Sequence, residues 1–335
     1  MLRLFSPVRL VVAGLLVAAV AFALWILPTE SYIFLPNEAH PVAPLVEVEG
    51  GKDPKGGGIY YVDVRVRKAT LAERLIPGLR EGATVVPAEQ VRPPGVTEDE
   101  RRREELQEMQ TSQRVAAAVA LRELGRKVVA TPIGARVEFV DPEAPAAGKL
   151  LAGDLITSAG GQPVKGPAGL RKAVRASGAG RALLLVVKRG DQRLEVRVQP
   201  VRGPSGTPMI GVIISQAADI ELPVKVKIDT NNVGGPSAGL AFALDLLEEL
   251  GRDVDQGNRI AVTGALELDG TVGEVGGLKQ KTIGVERAGI KVFLVPAGEN
   301  AAEARRYADG IRIVPVTSFQ QALRRLATLA PARQD

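Results

Sequence analysis

Asn231-Asn232-Val233-Gly234-Gly235-Pro236-Ser237-Ala238-Gly239, leading into Leu240 to Leu250 (LAFALDLLEEL), is the stretch that organises this 335-residue chain. From Leu240 onward, apolar side chains cover most of a helical circumference. Such a helix has to be well buried. Asp245, Glu248 and Glu249 fall at i, i+3 and i+4 and are expected on one exposed face. Gly251 is a natural stop. Ser237 stands at the start of this helix among small residues, and two readings are open. It is an N-cap whose hydroxyl accepts a first-turn amide. Or it is a nucleophile, where glycines let a substrate carbonyl approach and helix N-terminal amides hold an oxyanion.

Composition limits which base such a serine can use. The chain has no cysteine and one histidine, His40. That excludes disulfides, thiolate metal sites, a cysteine nucleophile and any two-histidine zinc motif. A Ser-His-Asp hydrolase would have to use His40, which lies in a Pro-rich stretch far along the chain. A lysine is the known alternative base. The net charge is +5 and the pI about 9.5. Aromatic residues are only 4% of the chain, so there is little on which to stack bases. Lys and Arg are interleaved with Asp and Glu as on a solvated surface. No nucleic-acid partner is expected, and no metal or cofactor.

Downstream, Ile260 to Thr263 reads as a strand, and Gly270, Gly273, Gly276 and Gly277 mark turns. Leu278-Lys279-Gln280-Lys281-Thr282-Ile283-Gly284 then opens a helix through Ala288. Lys279 and Lys281 are two apart, so one can point inward while the other meets solvent. The alternation continues as strand Lys291 to Val295, helix Ala301 to Tyr307, strand Ile311 to Val314 and helix Phe319 to Leu326. Residues 205–330 form an α+β domain.

Upstream, 131–199 changes character. Strand Ala135 to Val140 is followed by Asp141-Pro142-Glu143-Ala144-Pro145-Ala146-Ala147-Gly148, Leu151-Ala152-Gly153-Asp154-Leu155-Ile156 and Gly160-Gly161-Gln162-Pro163-Val164. A short helix at Ala168 to Ala176 and strands at Arg181 to Lys188 and Arg193 to Gln199 complete it. This succession resembles a PDZ domain, placed at 126–202. Such domains bind peptides by adding a strand to a sheet edge. The carboxylate-binding loop is expected near Thr131 to Gly134. Residues 28–125 precede it: a Pro- and Gly-rich stretch at 31–58, a strand at Ile59 to Val66 and a helix at Glu98 to Leu124.

Leu10 to Leu27 carries no charge in eighteen residues. A helix of that length is about 27 Å, near the hydrocarbon thickness. Arg3 and Arg9 precede it and Glu30 and Glu38 follow. This predicts a cytoplasmic segment 1–9, a transmembrane helix 10–27 and an extracytoplasmic remainder. A cleaved signal at Ala21-Phe22-Ala23 is the rival reading.

Gly235-Pro236-Ser237-Ala238-Gly239 together with Gly276-Gly277-Leu278-Lys279-Gln280-Lys281 resembles the proteolytic domain of Lon proteases. Thr263-Gly264 and Gly289-Ile290-Lys291 match as well. With the anchor and the inserted PDZ domain, the whole chain resembles the membrane-anchored, PDZ-containing Lon-like serine peptidases (the YlbL/SepM type). The fold implied is α+β, with a Lon-type proteolytic domain, an inserted PDZ domain and an N-terminal transmembrane helix. The resemblance implies Ser237 as nucleophile, Lys281 rather than Lys279 as general base, and Thr263 as the residue orienting the lysine. Gly235, Pro236 and Ala238 are the supporting positions around the serine. Gly234 departs from the family, where Asp is frequent. No G-x-x-x-x-G-K-[ST] sequence is present, so the expected activity is ATP-independent. Substrates are expected to be extracytoplasmic peptides or unfolded proteins, with the PDZ domain helping to bind them. The resemblance also implies a homo-oligomer. The alternative is a catalytically silent, membrane-anchored PDZ binding protein.

Overall fold

The computed structural model describes residues 7–52, 56–76, 78–88, 91, 97–203, 206–230 and 233–332. Helix α1 (Pro7–Ile26) ends where Pro28 begins strand β1 (Pro28–Pro41). Much of the first part of the Pro- and Gly-rich stretch is in this 14-residue strand. A register shift between Pro36 and Ala39 explains how. The bulge accommodates residues that cannot join a regular ladder. Strands β2 (Val46–Val48) and β3 (Gly58–Thr70) follow, then the short helix α2 (Leu71–Leu75), strand β4 (Thr84–Pro87) and the long helix α3 (Glu98–Glu123).

The described side chains of α1 start at Val11, and its first turn is described as backbone only. Among the described residues no helix is long and apolar enough to cross a membrane. The span expected at 10–27 is corrected accordingly. What α1 does present is an apolar exterior, with Leu15, Leu16, Val17 and Phe22 each at least 62% exposed.

The next unit is a sheet built from β5 (Val129–Val140), β6 (Leu155–Ala159), β7 (Gln162–Pro163), β8 (Leu183–Arg189) and β9 (Gln192–Val198), with helix α4 (Pro167–Ser177) against it. A short ribbon of β10 (Val201–Arg202) and β11 (Pro208–Met209) leads to β12 (Val212–Glu221). The order is β12-β5-β6-β8-β9. Strand β5 is therefore flanked on both sides. Thr131 to Gly134, where the carboxylate-binding loop is expected, is strand instead and pairs with Asp219 to Ala217 of β12. The terminal strands of this sheet are β12 and β9. Gln216 of β12 reaches the start of α4, where Nε2 donates to the Lys165 carbonyl at 2.8 Å.

After β13 (Val226–Ile228), which pairs with β2, come helix α5 (Gly239–Glu249) and strand β14 (Arg259–Val262). A small hairpin of β15 (Ala265–Leu266) and β16 (Val272–Gly273) precedes α6 (Leu278–Arg287), β17 (Val292–Pro296), α7 (Glu299–Tyr307), β18 (Arg312–Val316) and α8 (Phe319–Leu326). The main sheet runs β18-β17-β14-β3-β1-β4. Strands β18, β17, β14 and β3 are parallel neighbours, linked by helical crossovers after β14. Strand β1 is antiparallel to β3. One sheet thus joins residues 28–70 to residues 259–316, across the unit built from β5 to β12.

Helix α5 is buried at every position, including Asp245, Glu248 and Glu249. The acidic face expected to meet solvent is covered. Residues 42–52 pass over it, with the Lys52 amide on the Glu249 carbonyl at 2.7 Å. The loop 253–258 closes the other side through Glu248. On its inner side α5 meets the buried small-residue run Val115 to Leu121 of α3. Small side chains let the two helices approach closely.

Helix α6 packs tightly on β1. A Cβ on Gly284 would lie 1.9 Å from the Asn37 carbonyl oxygen. Gly284→Ala is expected to destabilise the fold by about 3 kcal/mol. Alanine's better helix propensity returns only about 1 kcal/mol. A urea midpoint at or above wild type would contradict this packing.

Candidate active site

Three segments converge. The turn before α5 supplies Ser237, the end of β14 supplies Thr263, and the first turn of α6 supplies Lys281. Ala238, not Ser237, occupies the N-cap of α5, and no side chain caps it. The N-cap reading of Ser237 does not hold, and its hydroxyl is not committed to the helix. Among the described residues, neither the Ser237 nor the Ala238 amide has a hydrogen-bond acceptor. The turn is held from outside. The Gly235 amide, at φ +84°, donates to the Glu105 carbonyl at 3.0 Å, and Ser112 Oγ donates to the Pro236 carbonyl at 3.1 Å. The left-handed backbone at Gly235 is where glycine is needed.

Thr263 is fully buried, and its amide extends the pairing of β14 with β17 by donating to Leu294. Its hydroxyl donates to the Ser237 carbonyl at 3.2 Å and accepts from Lys281 Nζ at 3.0 Å. The Gly264 amide donates to the same Ser237 carbonyl at 2.8 Å. Thr263 therefore links the two candidate residues: one bond fixes the serine's backbone and the other aims the lysine. No direct hydrogen bond joins Ser237 Oγ and Lys281 Nζ among the described residues.

Lys281 is 3% exposed. Desolvation pushes its pKa down from 10.5 to about 8, while the Asp63 charge opposes the shift. A lysine near 8 has an appreciable neutral fraction at physiological pH, as a base requires. Lys279, two residues earlier, faces away. Its Nζ donates to the Ala83 carbonyl and lies over the Tyr307 ring.

Ser237 and Lys281 share a cleft of about 360 Å³. Phe34, Val64, Val66 and Val233 give it an apolar wall; Asp63, Arg101 and Glu105 line it too. Arg101 pairs with Glu98 and Glu105. Burial raises the Glu105 carboxyl.

Sequence reading did not single out Asp63, or Glu105 and Ser112 on α3. Asp63 sits within the alternating strand Ile59 to Val66, where an acid in an otherwise apolar and basic run was the available signal. His40 is also closer than its place in the chain implies. It stacks on Tyr61 at 5.5 Å between ring centres, and its Nε2 is 3.8 Å from Asp63 Oδ1. Asn37 Nδ2 donates to the same oxygen at 2.9 Å. Because Asp63 favours the charged lysine, Asp63→Asn is expected to lower the Lys281 pKa further. The acidic limb of the pH–activity profile then moves to lower pH by about half a unit to one unit. An unmoved limb would separate Asp63 from the lysine.

A buried lysine of depressed pKa, aimed by a threonine that also holds a helix-leading serine, suits a hydrolase working by serine acyl transfer. Comparison with known proteins agrees at the level of domains. Residues 200–328 match the family model of the Lon protease (S16) C-terminal proteolytic domain, and residues 107–199 match that of the PDZ domain. The chain thus contains a Lon-type proteolytic domain, that of a serine peptidase, and a PDZ domain.

Among curated relatives, a Lon protease of Mesomycoplasma hyopneumoniae is 30% identical over 145 residues, covering 40% of this chain and 17% of that protein. Lon protease 1 of Sorangium cellulosum is 32% identical over 164 residues, covering 44% and 20%. Lon protease 2 of Bacillus subtilis is 31% identical over 115 residues, covering 34% and 20%. The chain spans about a fifth of the length of these relatives. A solved PDZ domain of the SdrC-like protein Lin2157 from Listeria innocua is 32% identical, covering 24% of this chain and 92% of that one, with a TM-score of 0.23.

Proposed function

We propose that the chain is a membrane-tethered, ATP-independent serine endopeptidase that cleaves extracytoplasmic peptides or unfolded proteins with a Ser237–Lys281 dyad. The observation that carries this reading is Lys281: buried, depressed in pKa, bonded to Thr263 and lining one cleft with Ser237. Neutral Lys281 takes the Ser237 proton as Oγ attacks the peptide carbonyl. The free Ser237 and Ala238 amides receive the oxyanion. The lysine then protonates the leaving amine. Water, deprotonated by the same lysine, releases the acyl group.

The PDZ unit supplies a docking edge in this reading. A substrate strand adds to β12 beside α4, with main-chain bonds giving affinity and side-chain pockets selectivity. Strand β12 then leads through β13 to the Ser237 turn, which favours delivery to the cleft. The exposed apolar exterior of α1 supports a membrane tether. Self-assembly into a homo-oligomer belongs to the same reading and is checked by light scattering.

The test is cleavage of unfolded casein by the full chain in detergent without ATP. Cleavage that disappears in Ser237→Ala and Lys281→Met is expected. Casein left intact by the wild type, while a peptide still binds at β12, would favour the silent PDZ binding protein instead.

A further inference from the structure

The acidic end of α5, outside the proteolytic cleft, holds an arrangement that proteolysis does not use. Glu248, Asp253 and Asp255 each offer an oxygen, and these oxygens all lie within 4.8 Å of one another. Each carboxylate also spends an oxygen on the loop. Glu248 Oε1 accepts the Val254 and Asp255 amides at 2.6 and 2.8 Å. Asp253 Oδ1 accepts the Gln256 amide at 2.7 Å, and Asp255 Oδ1 accepts that of Gly257 at 2.6 Å. The second oxygen of Asp255 is buried with no hydrogen-bond partner.

An independent observation comes from one turn earlier on α5. Asp245 is 1% exposed, its Oδ2 has no hydrogen-bond partner, and its carboxylate feels the charges of Glu249, Glu248 and Asp255. Among the described residues no lysine or arginine pairs with Asp245, Glu248, Asp253 or Asp255; the nearby Arg252 is taken by Glu123. Buried carboxylates crowded this way need neutralising, by protons or by a cation.

We propose that a calcium ion binds between Glu248, Asp253 and Asp255, with Asp245 as a buried acid behind them. The donors are all hard carboxylate oxygens, the set that selects calcium or magnesium over softer-ligand metals. Calcium takes several carboxylates in a large, flexible oxygen shell, whereas magnesium usually binds through one or two carboxylates and keeps its waters. Three converging carboxylates therefore favour calcium. Buried Glu248 and Asp255 form the floor, and exposed Asp253 forms the entry, open to water ligands. The ion joins the C-terminal end of α5 to the loop entering β14. These are the two elements that begin at the Ser237 turn and end at Thr263.

The full chain is stripped with chelator in detergent and titrated with calcium chloride by calorimetry. Its thermal midpoint is read alongside. Saturable binding and a rise of about 5 °C at saturation are expected. Asp253→Asn, whose side chain is exposed and therefore not required for packing, is expected to weaken binding at least about tenfold; Asp255→Asn is expected to remove it. Absence of binding by the wild type overturns the proposal and assigns the neutralisation to protons. Unweakened binding by Asp253→Asn overturns the site. An equal response to magnesium overturns the choice of ion. None of these readouts depends on peptidase activity.

Discussion

Ser237→Ala is expected to lower the rate of casein cleavage by at least about 10³-fold, with little change in thermal stability. The two effects separate for a structural reason. The Ser237 hydroxyl does not cap α5, whose N-cap is Ala238. The turn is held by groups that alanine retains: the Ser237 carbonyl, bonded to Thr263 Oγ1 and the Gly264 amide, and the Pro236 carbonyl, bonded to Ser112. Removing Oγ removes the attacking atom and leaves the frame. Residual activity comes only from oxyanion and substrate binding. Combining Ser237→Ala with Lys281→Met is expected to cost hardly more than either alone, because the two act as one unit. A Ser237→Ala variant that retains a tenth of the wild-type rate would remove Ser237 from the chemistry.

Lys281→Met is expected to abolish cleavage and at the same time to stabilise the protein. The folded pKa of about 8 lies below the free value of 10.5, so the folded state disfavours the charged lysine. The sign follows from proton counting. Below pH 8 both states carry the proton and the penalty is full, about 3 kcal/mol. Between pH 8 and 10.5 the unfolded chain binds the extra proton, so wild-type stability rises with pH; above 10.5 the penalty is gone. Methionine fills a similar volume without a charge. The lost bond to Thr263 offsets about 1 kcal/mol, leaving a gain of about 2 kcal/mol at pH 7. In Lys281→Met the stability rise between pH 8 and 10.5 disappears. Denaturant titrations at pH 7 and pH 10 measure both effects. The wild-type cleavage rate is expected to climb about tenfold per pH unit below 8 and to level above it. A variant less stable than wild type at pH 7 would show that packing by the lysine stem outweighs its desolvation.

Much of the C-terminal half was legible in its local pattern. Phe319–Leu326 is a helix over the residues its pattern indicates. The α6 helix and strands β17 and β18 lie within a few residues of expectation. Their signals are periodic, and their ends carry glycine or serine. The Ser237 and Lys281 segments were legible because each is a short run of small or paired residues with little reason to exist otherwise. Strand β1 was not legible, since its prolines argue against a ladder and only the bulge against β3 makes room for them. The acidic face of α5 misled because amphipathic spacing says which residues share a face, not whether another segment covers it.

Amino-acid order by itself determined most elements of the C-terminal half, the serine and lysine runs, and the exclusion of cysteine and two-histidine chemistry. Those depend on local periodicity, turn residues and residue type. Tertiary structure alone decided that the Thr263 hydroxyl also bonds the Ser237 carbonyl, that Asp63 opposes the lysine's loss of charge, and that His40 stands beside Asp63. It also decided that β12 and β9, not β5, are the terminal strands of their sheet, and that three carboxylates meet at the end of α5. Each of these joins residues from separate elements, and burial and Coulomb interaction act through space rather than along the chain.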